Sequence, residues 1–252
     1  MNKTQALLIL RDEAERLEDD KFFNPDFFYD VMAMALIVLG FRKARISSYV
    51  AGHHTTLDGK SFNFCQTEKE INNLSLLCDA AGRIGLAVLN IGTTAIFGES
   101  EIILETVLDK LNITRKTRKE HEYFGLILGY PECCVTRFST SEKCNLLPLE
   151  AVVFAPGKAT SLFMDEVTGL MRCRKNCIKA DEGNLVQYGA LSHSLPEIVE
   201  KSFKEFKESA KYNAESQRRI KKGRCGKCGN KFTKNNPNWF GLCPSCWSSC
   251  GD

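Results

Sequence analysis

Apolar positions along this chain keep a helical rhythm in some stretches and a strand rhythm in others, and the switches between them outline its elements. Residues 6, 10, 14 and 17 fall on one face of an amphipathic helix over Thr4–Asp19. Asn24-Pro25-Asp26 is a start signal, with Asn as N-cap and Pro in the first helical position. The helix it opens should run to Leu39 and stop at Gly40, and its apolar C-terminal half predicts burial. Arg45–Ala51 and Ser61–Gln66 read as strands joined by a polar turn from His53 to Lys60. A helix over Thr67–Arg83 is expected next, then two short strands, Gly85–Ile91 and Thr94–Phe97. Ser100 caps a helix to Leu111, and Thr117-Arg118-Lys119-Glu120 is a capping box for a helix ending at Gly129. Tyr130-Pro131 begins a short helix with Cys133 and Cys134 in its first turn. Asn145–Ala159, with Pro148 and Pro156 as breakers, reads as looped, and Ser161–Ala190 as helical in pieces.

A second capping box, Ser194-Leu195-Pro196-Glu197, opens a long helix to about Lys222. Its apolar positions 199, 203, 206, 210 and 214 form a narrow seam that fades toward a basic end. At ~1.5 Å per residue such a helix is roughly 40 Å long, enough to hold the C-terminal segment away from the core. No internal repeat or low-complexity tract interrupts the pattern.

Composition changes this picture in two ways. From Val199 to Asp252 there are twelve Lys and Arg against five Asp and Glu, a net of +7, which leaves −4 for the rest of a chain carrying +3. A basic tail on a mildly acidic body is the pattern of a chain whose end meets a polyanion; the alternative is a solvated helix with a basic end. Second, the chain has twelve cysteines, too unevenly placed for a secreted disulfide scaffold. The short apolar stretch Ala6–Leu10 runs directly into charge and does not read as a signal peptide, and Val31–Leu39 is too short to span a bilayer. The expectation is a cytoplasmic protein with no membrane partner, its thiols kept for metal or thiol chemistry.

Cys225, Cys228, Cys243 and Cys246 form two Cys-x-x-Cys knuckles fourteen residues apart. Each knuckle lets two thiolates reach one ion, so the spacing predicts a single structural, tetrahedral Zn²⁺. Gly226 and Gly229 are read as supplying backbone freedom for the metal turn, and Pro244 as stiffening the second knuckle. Cys250 lies four residues after Cys246, where it could substitute as a ligand or belong to a frayed end. The last thirty or so residues resemble the zinc-ribbon class of small metal modules. The expected fold class is therefore α+β: a helix-rich core with a small sheet over residues 1–195, a long basic linker helix over 196–222, and a C-terminal zinc ribbon over 223–252.

A second cysteine constellation lies in the core. Gly129-Tyr130-Pro131-Glu132-Cys133-Cys134-Val135 places two thiols at a helix N-terminus, where the helix dipole lowers a thiol pKa. Cys173 and Cys177 come next, their sulfurs one turn apart if that stretch is helical. Three readings stand for these four thiols: ligands to a second zinc or an iron–sulfur cluster, a redox or nucleophilic thiol with its resolving partner, or buried small hydrophobes. Cys65, Cys78 and Cys144 belong with the last. The residues Gly129, Tyr130, Pro131, Cys133, Cys134, Cys173 and Cys177 resemble an uncharacterised prokaryotic family with a Gly-Tyr-Pro-x-Cys-Cys-Val segment followed by Cys-x-x-x-Cys. That family has a proline before the second element, where this chain has Met171-Arg172. The resemblance implies a constellation of cysteines and no activity.

The remaining candidates are weaker. His53-His54 beside Asp58 offers a metal ligand or general base, with a surface turn the commoner case, and Walker, nucleophile-elbow and His-Glu-x-x-His motifs are absent. Arg218, Arg219, Lys221, Lys222, Arg224 and Lys227, with Trp239 between the knuckles, make a candidate nucleic-acid interface of phosphate-neutralising cations and a stacking ring. Trp239 packing inside the ribbon is the alternative. The leading expectation is a zinc-binding protein, nucleic-acid-associated or regulatory, whose partner is nucleic acid or a nucleic-acid-bound protein complex. The alternatives are an enzyme or redox protein with a cysteine-ligated metal or iron–sulfur centre in the core, and a protein-interaction module. Nothing in the sequence addresses oligomeric state.

Overall fold

The computed structural model describes residues 1–18, 26–48, 53–55, 61–63, 68–91, 94–112, 118–140, 156–170, 172–233, 236–238 and 241–248. The Asn24-Pro25 start signal, Asp58, Cys65, Thr117, Cys144, Trp239 and Cys250 lie outside these residues. The protein is α+β, as its periodicity predicts. Contacts divide the chain into one unit of residues 1–146 and 163–202 and a second of residues 147–162 and 203–252.

The larger unit is organised on α2 (Asp26–Leu39). Phe27, Phe28 and every residue from Val31 to Ile37 are buried, so this helix has no solvent face beyond its ends. Helices α1 (Lys3–Glu18) and α3 (Glu68–Arg83) pack on it and on each other. Glu13, buried on α1, ties the two together through Arg83 and is held in turn by Arg16 at 2.9 Å.

Beside them lies an antiparallel sheet in the order β1-β5-β4, from Ala44–Ser48, Thr94–Gly98 and Ala87–Ile91. The central strand β5 is the most buried, and Ile96 faces Ile46 and Leu89 across its two ladders. Helix α4 (Glu101–Asn112) covers the sheet with Ile103, Leu104 and Val107. Two further strands, β2 (His53–Thr55) and β3 (Ser61–Asn63), form their own antiparallel pair, His54 opposite Phe62. The predicted turn from His53 is therefore a strand, and β1 pairs with β5 and not with the next strand in the chain. Alternation of polar and apolar residues is too weak over His53–Thr55 to have shown this.

Helix α5 (Arg118–Ile127) leads into α6 (Glu132–Thr140), and the unit is completed by the end of α7 (Pro156–Thr168) and by α8 (Ile178–Ser194). Pro156, read from sequence as a breaker within a loop, opens α7, since a residue with no N–H is tolerated in the first helical turn.

The second unit takes most of α9 (Pro196–Lys221) and the C-terminal segment that follows it. Phe206, Ala210 and Ala214 are buried, as the predicted seam requires, whereas Phe203 is half-buried under the Lys207 ammonium, 4.6 Å from the ring centroid. Among the described residues, no helix is long and apolar enough to cross a membrane.

Candidate metal centres

The ribbon quartet is assembled by short-range hydrogen bonding at the end of α9. The helix stops at Gly223, and Arg224 pairs with Lys231 in an antiparallel bridge while Phe232 N–H donates to Gly223 O at 3.0 Å. Cys225 N–H donates to Asn230 O at 2.7 Å and Gly229 N–H to Cys225 O at 2.9 Å, closing the first knuckle. Gly229 has φ +77°, a left-handed conformation that favours glycine. Gly226 does not share that reason. A Cβ there would stand 2.2 Å from Ser216 Oγ and 3.1 Å from Ile220 Cδ1, so glycine is needed to let α9 approach the knuckle. The second knuckle runs into a short helix, α10 (Pro244–Ser248), with Pro244 in its first position.

Cys225, Cys228, Cys243 and Cys246 bring their sulfurs within 4.8 Å of one another. Cys243 N–H donates to Cys225 Sγ at 3.3 Å, and Ser245 Oγ lies 3.2 Å from Cys243 Sγ. Burial works against ionisation at Cys225, but the backbone N–H groups of Cys228, Cys243 and Lys227 outweigh it and bring the thiol down to about 6. Cys243 is also lowered, chiefly by Ser245. Donors aimed at sulfur are what a tetrathiolate metal site requires of its surroundings.

The core quartet is built from two chain reversals. Helix α5 ends in a Schellman arrangement: Tyr130 N–H donates to Gly125 O at 3.0 Å and Gly129 N–H to Leu126 O at 3.0 Å, with Gly129 at φ +79°. A Cβ on Gly129 would lie 2.9 Å from Phe41 O, so this position also brings the segment after α2 close. Pro131 O then accepts from Cys134 N–H at 2.8 Å and Val135 N–H at 3.0 Å, starting α6 with both cysteines in its first turn. The other two cysteines, Cys173 and Cys177, do not lie on one helix face, as a helical stretch would place them. Residues 172–176 form a turn, and Cys177 is the N-cap of α8 at φ −79°, ψ 100°. Cys-x-x-x-Cys spacing fits a loop that ends in a cap as well as a helical turn.

The four core sulfurs also lie within 4.8 Å of one another: Cys177 is 3.6 Å from Cys133 and 3.7 Å from Cys134, and the adjacent pair is 4.0 Å apart. Cys134 and Cys177 are buried, Cys133 and Cys173 half-buried. The expectation that the helix N-terminus lowers the Cys133 and Cys134 thiols fails. Burial is the largest influence and pushes both up, and the neighbouring Cys177 sulfur adds to it. Cys177 goes the other way: burial opposes its ionisation, but the Ala180 N–H, near the sulfur without closing a capping bond of ordinary geometry, helps hold it below the usual thiol value.

Sequence reasoning missed the polar brace beneath this turn. Arg172 is fully buried; its Nε donates to Asp165 and its Nη1 to Asp181 at 2.8 Å, while Asn184 Nδ2 donates to Asp165 at 2.7 Å. The brace ties α7 and α8 to the residue before Cys173. Tyr130 adds a second tie, donating its hydroxyl to Gly169 O at 2.8 Å. The one signal in the sequence was an Arg beside Cys173, with Asp181 and Asn184 at i, i+3. Arg42 was also missed: it is buried, its Nε and Nη1 have no hydrogen-bond partner, and burial with the nearby Arg45 charge lowers it to about 9.

Of the seven candidate nucleic-acid residues, Trp239 lies outside the described residues. Two arginines serve the ribbon itself: Arg219 Nη1 donates to Lys227 O at 2.9 Å and Gly226 O at 3.3 Å, and its Nη2 pairs with Glu215. Arg224 Nη1 donates to Gly229 O at 3.2 Å while the residue stays exposed. Arg218, Lys221, Lys222 and Lys227 are exposed on the same unit. Neither models of known protein families, nor curated proteins, nor solved structures give a match to this chain.

Proposed function

We propose that this chain is a zinc protein with two mononuclear Cys₄ centres, each holding its surroundings together, and that its outward activity is association with nucleic acid through the basic end of α9 and the ribbon. The sulfur spacing of the core quartet carries the first half. Four thiolates on one ion at the ~2.3 Å zinc–sulfur length form a tetrahedron with edges of about 3.8 Å. The core separations of 3.6, 3.7 and 4.0 Å bracket that value. A four-iron cluster puts each thiolate on a different metal and spreads the sulfurs much farther. A closed tetrathiolate has no open position for substrate, which favours a structural over a catalytic centre. Raised Cys133 and Cys134 thiols likewise argue against a nucleophile in the metal-free site.

What supports the second half is charge. Between Arg218 and Lys231 there are seven Lys and Arg and no acidic residue, and all but Arg219 are exposed. This reading also keeps the resemblance to the Gly-Tyr-Pro-x-Cys-Cys-Val family, since Gly129, Tyr130 and Pro131 each have a part in presenting Cys133 and Cys134. A reducing cytoplasm suits eight thiols that must stay reduced to bind metal.

Metal analysis tests the centres: the purified chain should carry two zinc ions, and Cys133→Ser with Cys134→Ser should leave one. A visible colour with iron in the wild type would refute a mononuclear zinc core. Binding to a labelled oligonucleotide should fall steeply with salt. Undiminished binding by Lys221→Glu, Lys222→Glu would remove nucleic acid as the partner.

A further inference from the structure

The eight candidate ligand thiols differ sharply in access. Cys225 and Cys243 have no exposed surface, Cys134 and Cys177 are buried, and Cys133, Cys173 and Cys246 are half-buried. Cys228 is exposed, alone among the described cysteines. Its surroundings differ as well. Cys225 Sγ accepts from the Cys243 N–H and Cys243 Sγ lies beside Ser245 Oγ. With burial, such contacts shield a sulfur from outside reagents while leaving it within reach of an adjacent sulfur of its own quartet. The neighbours of Cys228 Sγ are sulfurs: that of Cys243 lies 3.7 Å away, and those of Cys225 and Cys246 within 4.8 Å. Cys228 is thus a sulfur that reagents can reach, with the Cys243 sulfur in position to close onto it.

We propose that Cys228 is an oxidation-sensitive modification site that takes a small-molecule disulfide as its substrate and closes onto Cys243, opening the ribbon. The inference rests on the reading of the ribbon quartet as a zinc site. In the first step the Cys228 thiolate attacks one sulfur of the disulfide R–S–S–R; that S–S bond breaks, a Cys228–S–S–R bond forms, and one thiolate RS⁻ leaves. In the second, Cys243 attacks the Cys228 sulfur, forming the Cys228–Cys243 disulfide and releasing the second RS⁻. Two protein thiolates are oxidised and one disulfide is reduced to two thiolates. The ion, left with Cys225 and Cys246 alone, is released, and the module loses the cross-link that holds it folded. The core quartet has no exposed ligand and lacks this route, so the two centres should open in a fixed order.

The test uses the full zinc-loaded chain, with zinc counted first, then oxidised glutathione, with zinc release followed by a chromophoric chelator and cysteines mapped by mass spectrometry. The expected result is a mixed disulfide at Cys228 at least about tenfold sooner than at any other cysteine, then a Cys228–Cys243 link with one zinc released per chain. Cys228→His keeps a nitrogen ligand for zinc and removes the nucleophile, so it should retain its zinc under the same treatment. First reaction at any other cysteine, or zinc release without the Cys228–Cys243 link, overturns the proposal while leaving the zinc reading intact. A ribbon without zinc at the outset overturns both.

Discussion

Gly226→Ala probes the joint between α9 and the ribbon. The added methyl would meet Ser216 Oγ at 2.2 Å, Ile220 Cδ1 at 3.1 Å and Gly241 O at 3.4 Å. Carbon cannot approach a hydroxyl oxygen that closely, and the Ile220 and Gly241 contacts block retreat on two other sides. Overpacking of this kind costs about 1–3 kcal/mol. On the proposed zinc reading, folding of so small a module is coupled to metal binding, so the cost should appear as ribbon zinc affinity weakened about 5- to 150-fold. The measurement is competition with a chromophoric chelator in a Cys133→Ser, Cys134→Ser background, where the ribbon zinc is the one counted. Adding Ser216→Gly removes the closest atom, at a helix cost of about 1 kcal/mol. The double variant should recover much of the loss by Gly226→Ala. Gly229→Ala is the contrast: its difficulty is φ +77°, and Ser216→Gly should not relieve it. Unchanged affinity in Gly226→Ala, or equal rescue of both alanines, would refute the steric explanation.

Other predictions concern buried charge. Arg42→Met removes a buried guanidinium with two unpartnered nitrogens and should stabilise the larger unit by about 1–4 kcal/mol in urea unfolding; a loss of stability would show that Arg42 has a partner in solution. Arg172→Met takes the guanidinium away from Asp165 and Asp181 and should destabilise by about 3–5 kcal/mol, with earlier loss of the proposed core metal on heating; an unchanged melting profile would show that the brace holds nothing in place. Burial raises Asp165 to about 6 against the pull of Arg172, so the folded state holds this proton more tightly than the unfolded chain does. Its contribution is therefore full below about pH 3.9 and is lost as pH rises through about 6. Measured against Asp165→Asn, which does not titrate there, the wild type should gain up to about 3 kcal/mol as pH falls from about 7 to 4. A flat difference would contradict the shift.

What could be read from the chain was whatever depends on neighbours in sequence. The buried run of α2, the length of α9 and both knuckle spacings are local patterns, and they appear where the sequence puts them. The capping box is corrected: Ser194, read as the N-cap of α9, is the last residue of α8, and α9 opens at Pro196. Relations across the chain were not readable. Cys-x-x-x-Cys leaves helix and turn equally open, and only the packing of α7 and α8 through Arg172 decides between them. Gly226 and Gly229 look alike beside a knuckle, yet one is required for space beside α9 and the other for its backbone angle. Arg219 resembled a phosphate contact because its carbonyl acceptors lie seven and eight residues away, beyond any helical repeat. Pro156 shows the same limit: proline excludes a helix interior, and nothing local tells a first turn from a break.

The two quartets also determine what the chain looks like to other charges. A divalent ion with four thiolates carries −2, so filling both sites takes the formal charge of the chain from +3 to −1. Apo and loaded forms should then migrate on opposite sides of neutrality, and the basic stretch from Val199 onward drops from +7 to +5 with its own quartet filled. Metal occupancy is in this sense an electrostatic setting, and metal lost from the ribbon leaves a more cationic tail.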